Sequence, residues 1–264
     1  VSPRPYLTSL QLNELRATLT TNEWAVLEDV AVMRLAVASD LQTLQGLRSP
    51  LSVRQFRRLL AGLDERGVLF RLERTVGGRA RGSAGFVYAI GASGHRLRTD
   101  DGKPGPRPWT PRPSWMKHAL AVGRLFVVLR ALEERNRLQR VNFEAEPSAW
   151  RVFNDGGETV TLKPDAVVVA DHDDFRDSYF VEVDCATESP ATIARKCDVY
   201  RRYWRCGDEQ RTTGVFPQVL WLVPSDRRRD VIAKVIAALR EAKELHSVAR
   251  YDQAASVFGD EEPP

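Results

Sequence analysis

The chain has 264 residues, of which 28% are charged and 43% hydrophobic, with a formal net charge of +4. That length has room for two compact domains; no apolar run approaches the roughly 18 residues of a membrane span, and the first residues lack the basic-then-apolar order of a secretory signal. Three cysteines, Cys185, Cys197 and Cys206, form no CxxC and no His/Cys zinc spacing, so a disulfide scaffold and a zinc finger are excluded and a reduced, cytoplasmic protein without a membrane partner is expected.

In chain order, Asn22 to Arg34 reads as an amphipathic helix capped by Thr21 or Asn22, with Trp24, Leu27, Val30 and Ala31 on one face. A short helix follows from about Ala38 to Leu44. After Ser49-Pro50, Ser52 caps a third helix, Val53 to Arg66, that stops at Gly67. Val53, Phe56, Leu60 and Leu63 recur at helical spacing and should face inward, leaving Arg54, Gln55, Arg57 and Arg58 outside. Two short strands, Val68 to Leu72 and Phe86 to Ile90, flank a Gly-rich tip carrying Arg79 and Arg81. Residues 48–112 hold 14 Lys/Arg against 5 Asp/Glu, a balance of +9, while residues 113–264 hold 22 against 25, a balance of −3. A basic half beside a near-neutral half points to a polyanion partner for the former.

Residues 99–113 are dense in Pro and Gly and read as a linker between a domain at 1–98 and a domain at 114–264. The second domain opens with a long helix, Ser114 to Arg137, striped by Leu120, Leu125, Val128, Leu129 and Leu132. Strand-like segments follow at Val141 to Glu146 with Trp150 to Phe153, at Val160 to Ala170, and at Ser178 to Asp184. Ser189-Pro190 launches a helix to about Cys206. A strand from Val215 to Val223, a helix from Arg227 to Lys243 and a short strand near Val248 to Tyr251 complete the order. The continuous V-V-V-A run reads as a strand buried on both faces, and Cys185 and Cys197 are expected in the core. Residues 171–177 read as a solvated connection, and His118 and His246 as surface or hydrogen-bonded residues.

The chemistry concentrates between Leu162 and Lys196. Pro-Asp sets Asp165 at the start of an apolar strand. Glu182 and Asp184 are spaced i, i+2, which places both side chains on one face of the next strand. Lys196, Tyr200 and Tyr203 share a face of the following helix. Three carboxylates and an ammonium so placed suit a divalent cation and phosphodiester hydrolysis. Asp165, Glu182 and Asp184 are the candidate ligands for Mg²⁺ or Mn²⁺. Lys196 would stabilise charge on phosphorus, Tyr200 would bind phosphate, and Glu133 or Glu134 would be a further acidic partner. Tyrosine nucleophilic catalysis through Tyr200 or Tyr203 is the rival chemistry, although His95, His118, His172 and His246 are scattered singly.

These motifs resemble known families. Three helices followed by a strand–basic loop–strand hairpin resemble a winged helix-turn-helix, which implies double-stranded DNA as partner. Its third helix would lie in the major groove and Arg79 and Arg81 would touch phosphate or the minor groove. The α-β-β-β-α-β order with L-K-P-D and V-E-V-D resembles the restriction-endonuclease-like PD-(D/E)XK core. That pattern places lysine where Asp184 stands, and Lys196 is the substitute on the next helix. The winged helix, then L-K-P-D-A-V, F-V-E-V-D-C-A-T-E-S and K-C-D-V-Y-R-R-Y together are similar to the replication-relaxation family of actinobacterial and firmicute plasmids and integrative elements.

The expected fold class is therefore α+β in two domains, a winged helix-turn-helix followed by a nuclease-like core. Two functions follow from it. One is a Mg²⁺-dependent DNA nuclease or nickase of plasmid replication or relaxation. The other is a non-catalytic replication accessory or transcription regulator, with replication or conjugation proteins as partners and the nuclease-like domain used for binding and assembly. A homodimer is expected only as winged helices commonly form one.

Overall fold

A computed structural model describes residues 7–72, 85–99 and 111–259 of the chain. The expected basic tip with Arg79 and Arg81, and most of the Pro/Gly-rich segment, lie outside the described residues. The chain divides into two compact units, Val1–Val127 and Val128–Pro264. The helices and sheets are mixed throughout, an α+β protein. Among the described residues, no helix is long and apolar enough to cross a membrane.

The first unit runs α1 (Ser9–Thr18), α2 (Thr21–Met33), β1 (Ala36–Val37), α3 (Ala38–Arg48), α4 (Val53–Glu65), β2 (Leu69–Leu72), β3 (Val87–Ile90) and α5 (Ala92–Thr99), and ends within α6 (Pro113–Glu134). The strands form a small antiparallel sheet in the order β1-β3-β2. Helix starts are written in the sequence as reciprocal capping boxes: Thr8 with Gln11, Thr20 with Glu23 and Ser52 with Gln55. The α2 cap is thus Thr20, not the expected Thr21 or Asn22, because Glu23 stands three residues after it. α4 ends on Gly67 at φ +67°. Val68 N–H donates to the Leu63 carbonyl and Gly67 N–H to that of Asp64, a Schellman closure that turns the chain directly into β2.

Leu27, Val30, Leu41, Leu44, Phe56, Leu60 and Leu63 make the core of this unit. Val53, expected inward, is 48% exposed, since the Ser52 cap sets it in the first turn, beyond the reach of the neighbouring helices. Asp29 is buried on α2 and receives both Arg48 Nη atoms, at 2.5 and 2.7 Å, which ties α3 to α2. The α1, β1 and α5 elements are additional to the expected ones. α5 lies against the start of β2 so closely that a Cβ on Gly94 would stand 2.2 Å from the Val68 carbonyl oxygen.

After α6 the second unit runs β4 (Arg140–Ala145), β5 (Arg151–Asp155), β6 (Glu158–Leu162), β7 (Ala166–Asp171), β8 (Arg176–Val183), α7 (Pro190–Cys206), α8 (Asp208–Thr213), β9 (Gln218–Val223), α9 (Asp226–Ala237), β10 (His246–Arg250) and α10 (Ala254–Phe258). Five strands form one sheet in the order β10-β9-β8-β7-β4. β4, β7 and β8 are antiparallel neighbours, whereas β8, β9 and β10 are parallel and connected through α7 and α9. The expected single strand Val160 to Ala170 is two strands. Pro164 has no amide hydrogen to continue the ladder, so β6 pairs back on β5 as a separate hairpin and β7 starts afresh in the main sheet. β5 accordingly does not join β4.

β7 is buried along most of its length, as the V-V-V-A run implied. One face of the sheet carries Val167, Phe180, Val219, Trp221 and Val223 against Ile193, Cys197, Tyr200 and Tyr203 of α7 and Ile232 and Ile236 of α9. Ser189 caps α7 and Pro190 fills its first turn, and Gly207 in the left-handed region ends it. Arg202 on α7 reaches the β5–β6 hairpin, bonding Asp155 at 2.5 Å and Glu158 at 3.3 Å.

Candidate functional site

Strand register builds the site. Ala166 lies opposite Val181, so Asp165, one residue before β7, sits beside Glu182. Asp165 N–H donates to the Val181 carbonyl at 3.0 Å, and its Oδ2 accepts from Val183 N–H at 2.7 Å. The Pro-Asp dipeptide thus fastens its carboxylate to the neighbouring strand. Glu182 is only 2% exposed and points with Phe180 toward α7. Its Oε2 accepts from Lys196 Nζ at 2.8 Å and its Oε1 from the Tyr200 hydroxyl at 2.7 Å. Lys196 and Tyr200, four residues apart on one helical face, hold the two oxygens of one carboxylate. Lys196 Nζ also lies 2.9 Å from Glu188 Oε1.

Electrostatics follow from this burial. The Glu182 carboxyl is raised to about 7, first by burial and then by the negative charge of Asp165, against the pull of Lys196 and Tyr200. Burial works against the Lys196 ammonium, yet Glu182 and Asp165 together hold it above the ordinary lysine value. The Tyr200 phenol is pushed well above its ordinary value by burial and by Glu182, and burial with the same carboxylate lifts the Cys197 thiol to about 12. Asp165, Glu182 and Lys196 therefore form one interacting group.

Asp184 does not join it. Its two oxygens accept from Arg228 Nε at 2.6 Å and Nη2 at 2.7 Å, and Oδ2 also accepts from Ala186 N–H at 2.9 Å. The same Arg228 Nη2 donates to the Glu188 carbonyl at 2.8 Å. The Tyr251 hydroxyl donates to the Asp184 carbonyl. These bonds fold residues 184–188 into a tight connection in which Ala186 has φ +60°. Spacing i, i+2 did place Glu182 and Asp184 toward one side, but two basic residues on two helices, Lys196 on α7 and Arg228 on α9, take one each.

Tyr200 is fully buried with its hydroxyl engaged by Glu182, which leaves it to orient that carboxylate, and phosphate binding by this hydroxyl is not what the geometry offers. The Tyr203 hydroxyl donates to buried Glu209 at 2.6 Å. Neither phenol is presented as a nucleophile. Glu133 binds Arg130 and Val141 N–H, at the end of β4 that pairs with Ala170, the opposite end of the sheet from Asp165. His246 is buried on β10, where its Nδ1 accepts from Trp221, and burial lowers it to about 4. The sequence pattern did not point to Glu188, Arg228 or Tyr251. Glu188 abuts the legible Ser189-Pro190 cap, which was a usable signal. Arg228, 44 residues from Asp184, gave none.

Among the described residues, no three His, Cys, Asp or Glu side chains gather into a metal-holding group. Asp165 and Glu182 stand as a pair of adjacent carboxylates. Mg²⁺ is satisfied by one or two protein carboxylates with water and phosphate completing its shell, so a two-carboxylate donor set fits it, and a cation would offset both the burial and the Asp165 repulsion that raise Glu182.

In the first unit, Arg54, Gln55, Arg57 and Arg58 lie together on the exposed face of α4. Gln55 Oε1 accepts from Ser52 N–H at 2.9 Å and from the Ser52 hydroxyl at 2.7 Å, so its carbonyl closes the helix cap. Arg54, Arg57 and Arg58 have no ion-pair partner among the described residues.

The replication-relaxation family model matches residues 27–219. The chain belongs to the replication-relaxation family. The matched span runs from α2 into β9 and so contains both the α4 face and the Asp165–Glu182–Lys196 group. No curated protein matches the chain in sequence. Among solved structures it is similar to protein VC1899 from Vibrio cholerae at 10% identity and a TM-score of 0.31, over 96% of this chain and 56% of that one. The chain thus spans just over half of that protein's length, and a likeness this distant carries neither fold nor activity across.

Proposed function

We propose that this replication-relaxation protein is a DNA-binding protein of plasmid or mobile-element replication. In this reading the first unit is a winged helix-turn-helix and the second a PD-(D/E)XK-like nuclease. α4 lies in the major groove of double-stranded DNA, and Asp165 and Glu182 hold Mg²⁺ or Mn²⁺ for phosphodiester hydrolysis. The observation that carries the catalytic part is the Lys196 ammonium on the buried Glu182 carboxylate beside Asp165. The sheet order and the helix α7 that supplies Lys196 support the same reading.

A divalent cation bound there would supply Lewis acidity toward the phosphate and a more acidic water. The chain's own groups have separable tasks. Val183 N–H fixes Asp165 at the strand end. Tyr200 orients Glu182 from the buried side. Lys196, one-third exposed at its side chain, is placed to meet the negative charge of a phosphate at the rim of the site. The Asp184–Arg228 pair holds the connection between β8 and α7, so the second carboxylate of the V-E-V-D motif serves structure here.

A second reading is favoured by that last pair. With Asp184 neutralised and both Glu182 oxygens engaged, the domain could bind and assemble without cutting. A supercoiled-plasmid assay separates the two. Conversion to open-circle or linear DNA in Mg²⁺ or Mn²⁺, lost in EDTA and in Asp165→Ala and Glu182→Ala, is the expected result. Intact plasmid at protein concentrations that demonstrably bind it would overturn the nuclease and leave the binding platform.

A further inference from the structure

Lys196 is shared. Its ammonium lies 2.8 Å from Glu182 and 2.9 Å from Glu188, so one nitrogen serves two carboxylates. A cation held by Glu182 and this ammonium compete for the same carboxylate, since both cannot neutralise one buried charge at full strength. If Glu182 is given over to a cation, Lys196 needs a second counter-charge near the sheet, or it swings into solvent and is lost to the phosphate.

Glu188 is built to be that counter-charge, independently of Lys196. Its backbone carbonyl is fixed by Arg228 at 2.8 Å, and the connection that carries it is closed by Asp184 on Ala186 N–H at 2.9 Å. The left-handed Ala186, costly for a residue with a Cβ, sharpens the turn that brings Glu188 back toward α7. Asp184, Arg228 and Ala186 thus form a frame whose product is the position of one carboxylate.

We propose that Glu188 is a positioning residue that retains the Lys196 ammonium at the site when Glu182 turns to a divalent cation, with the Asp184–Arg228 pair as its support. This rests on the two-carboxylate metal reading above. The aspartate that stands in the lysine position of the nuclease-like motif then acts through the loop, not through the metal.

The test is a double-mutant cycle on Mn²⁺ affinity, measured by titration calorimetry or water-proton relaxation on the full chain without DNA. Glu188→Gln should weaken Mn²⁺ binding several-fold, because Lys196 then stays on Glu182 and competes. Lys196→Met should tighten binding. In the Lys196→Met background, the loss from Glu188→Gln should shrink at least threefold. A loss that is equal or larger in that background means that Glu188 acts on the ion directly, and overturns the proposal while leaving the metal site intact. Should Lys196→Met not fold, Lys196→Gln closes the same cycle. No Mn²⁺ binding by the parent chain, or binding indifferent to Asp165→Ala, overturns the metal reading itself and this inference with it.

Discussion

On α4 the guanidinium groups of Arg54, Arg57 and Arg58 stand exposed, and none has an acidic partner among the described residues. On α7 three of the four arginines are matched, while Arg195 donates to the Thr192 hydroxyl at 3.1 Å and has no acidic partner among the described residues. Arg201 pairs with Asp198 at 2.6 Å, Arg202 with Asp155 at 2.5 Å and Arg205 with Glu241 at 2.5 Å. Both helices are amphipathic and both carry more basic than acidic residues. The difference lies in the field each leaves in solution. Matched charges cancel within a few ångströms, while unmatched ones sum into a potential that reaches about a Debye length, roughly 8–10 Å. Arginine count alone is therefore a poor guide to a polyanion surface, and partner count is a better one.

A third kind of arginine breaks this two-way comparison. Arg228 is paired, but in a buried place: the Asp184 side chain is 1% exposed and that of Arg228 12%. Removing one member leaves the other's charge in the protein without compensation, which costs about 3–5 kcal/mol. Arg228→Gln should lower unfolding free energy by that amount in urea denaturation. A loss below about 1 kcal/mol would show that Asp184 finds water or another donor, and that the frame under Glu188 is not fixed by this pair.

The α4 side of the comparison predicts an effect on binding instead of folding. Arg57→Ala with Arg58→Ala removes two charges that make no ion pair among the described residues. Duplex affinity at low salt should fall by more than about tenfold, and the slope of log affinity against log salt should flatten by about 2. An unchanged slope would remove α4 from the proposed DNA surface.

How much of this was legible beforehand follows from the range of each interaction. α4, its Ser52 cap and its Gly67 stop were legible because cap, periodicity and Schellman glycine are local in sequence. So were the buried β7, and the Ser189-Pro190 start of α7. The approach of Asp165, Glu182 and Lys196 was legible through strand alternation and helix spacing. The failures are of two kinds. α5 carries one large apolar residue, Leu97, so periodicity is silent there, whereas α1 does carry a local signal, Leu12, Leu15 and Leu19 at helical spacing behind the Thr8–Gln11 cap. Apolar residues on both sides mask the Pro164 break. The partner of Asp184 depended on which helix packs over which strand end. Spacing gave both carboxylates the same side, but only the three-dimensional order of α7 and α9 decided that each would meet a different cation.

The buried pair also sets a pH dependence. Glu182 is raised from the ordinary carboxylate range to about 7. The folded state therefore holds this proton more tightly than the unfolded chain, so its contribution is complete below about pH 4.5 and is lost as pH rises through about 7. Glu182→Gln has no proton to lose. The stability of the parent relative to this variant should fall between about pH 5 and 8, by on the order of 3 kcal/mol, because each tenfold difference in proton affinity is worth about 1.4 kcal/mol. Paired melting curves across that range would show it. A difference that stays flat would mean that Lys196 fully compensates Glu182 and that the site is an ordinary closed ion pair.

The smallest effect tests the comparison most directly. Arg201→Ala with Arg205→Ala strips two matched arginines from the outer side of α7, and exposed pairs are each worth about 0–1 kcal/mol. Stability should move by less than about 1 kcal/mol. Because Asp198 and Glu241 already cancel those charges, the salt slope of duplex binding should not flatten as it does for the α4 pair. The two double variants remove the same formal charge, so overall charge cannot explain a difference between them. If both flatten the slope equally, DNA responds to the summed charge of the protein, and the unpaired face of α4 loses its standing as a docking surface. If only the α4 variant does, the position of unmatched arginine is what the polyanion reads.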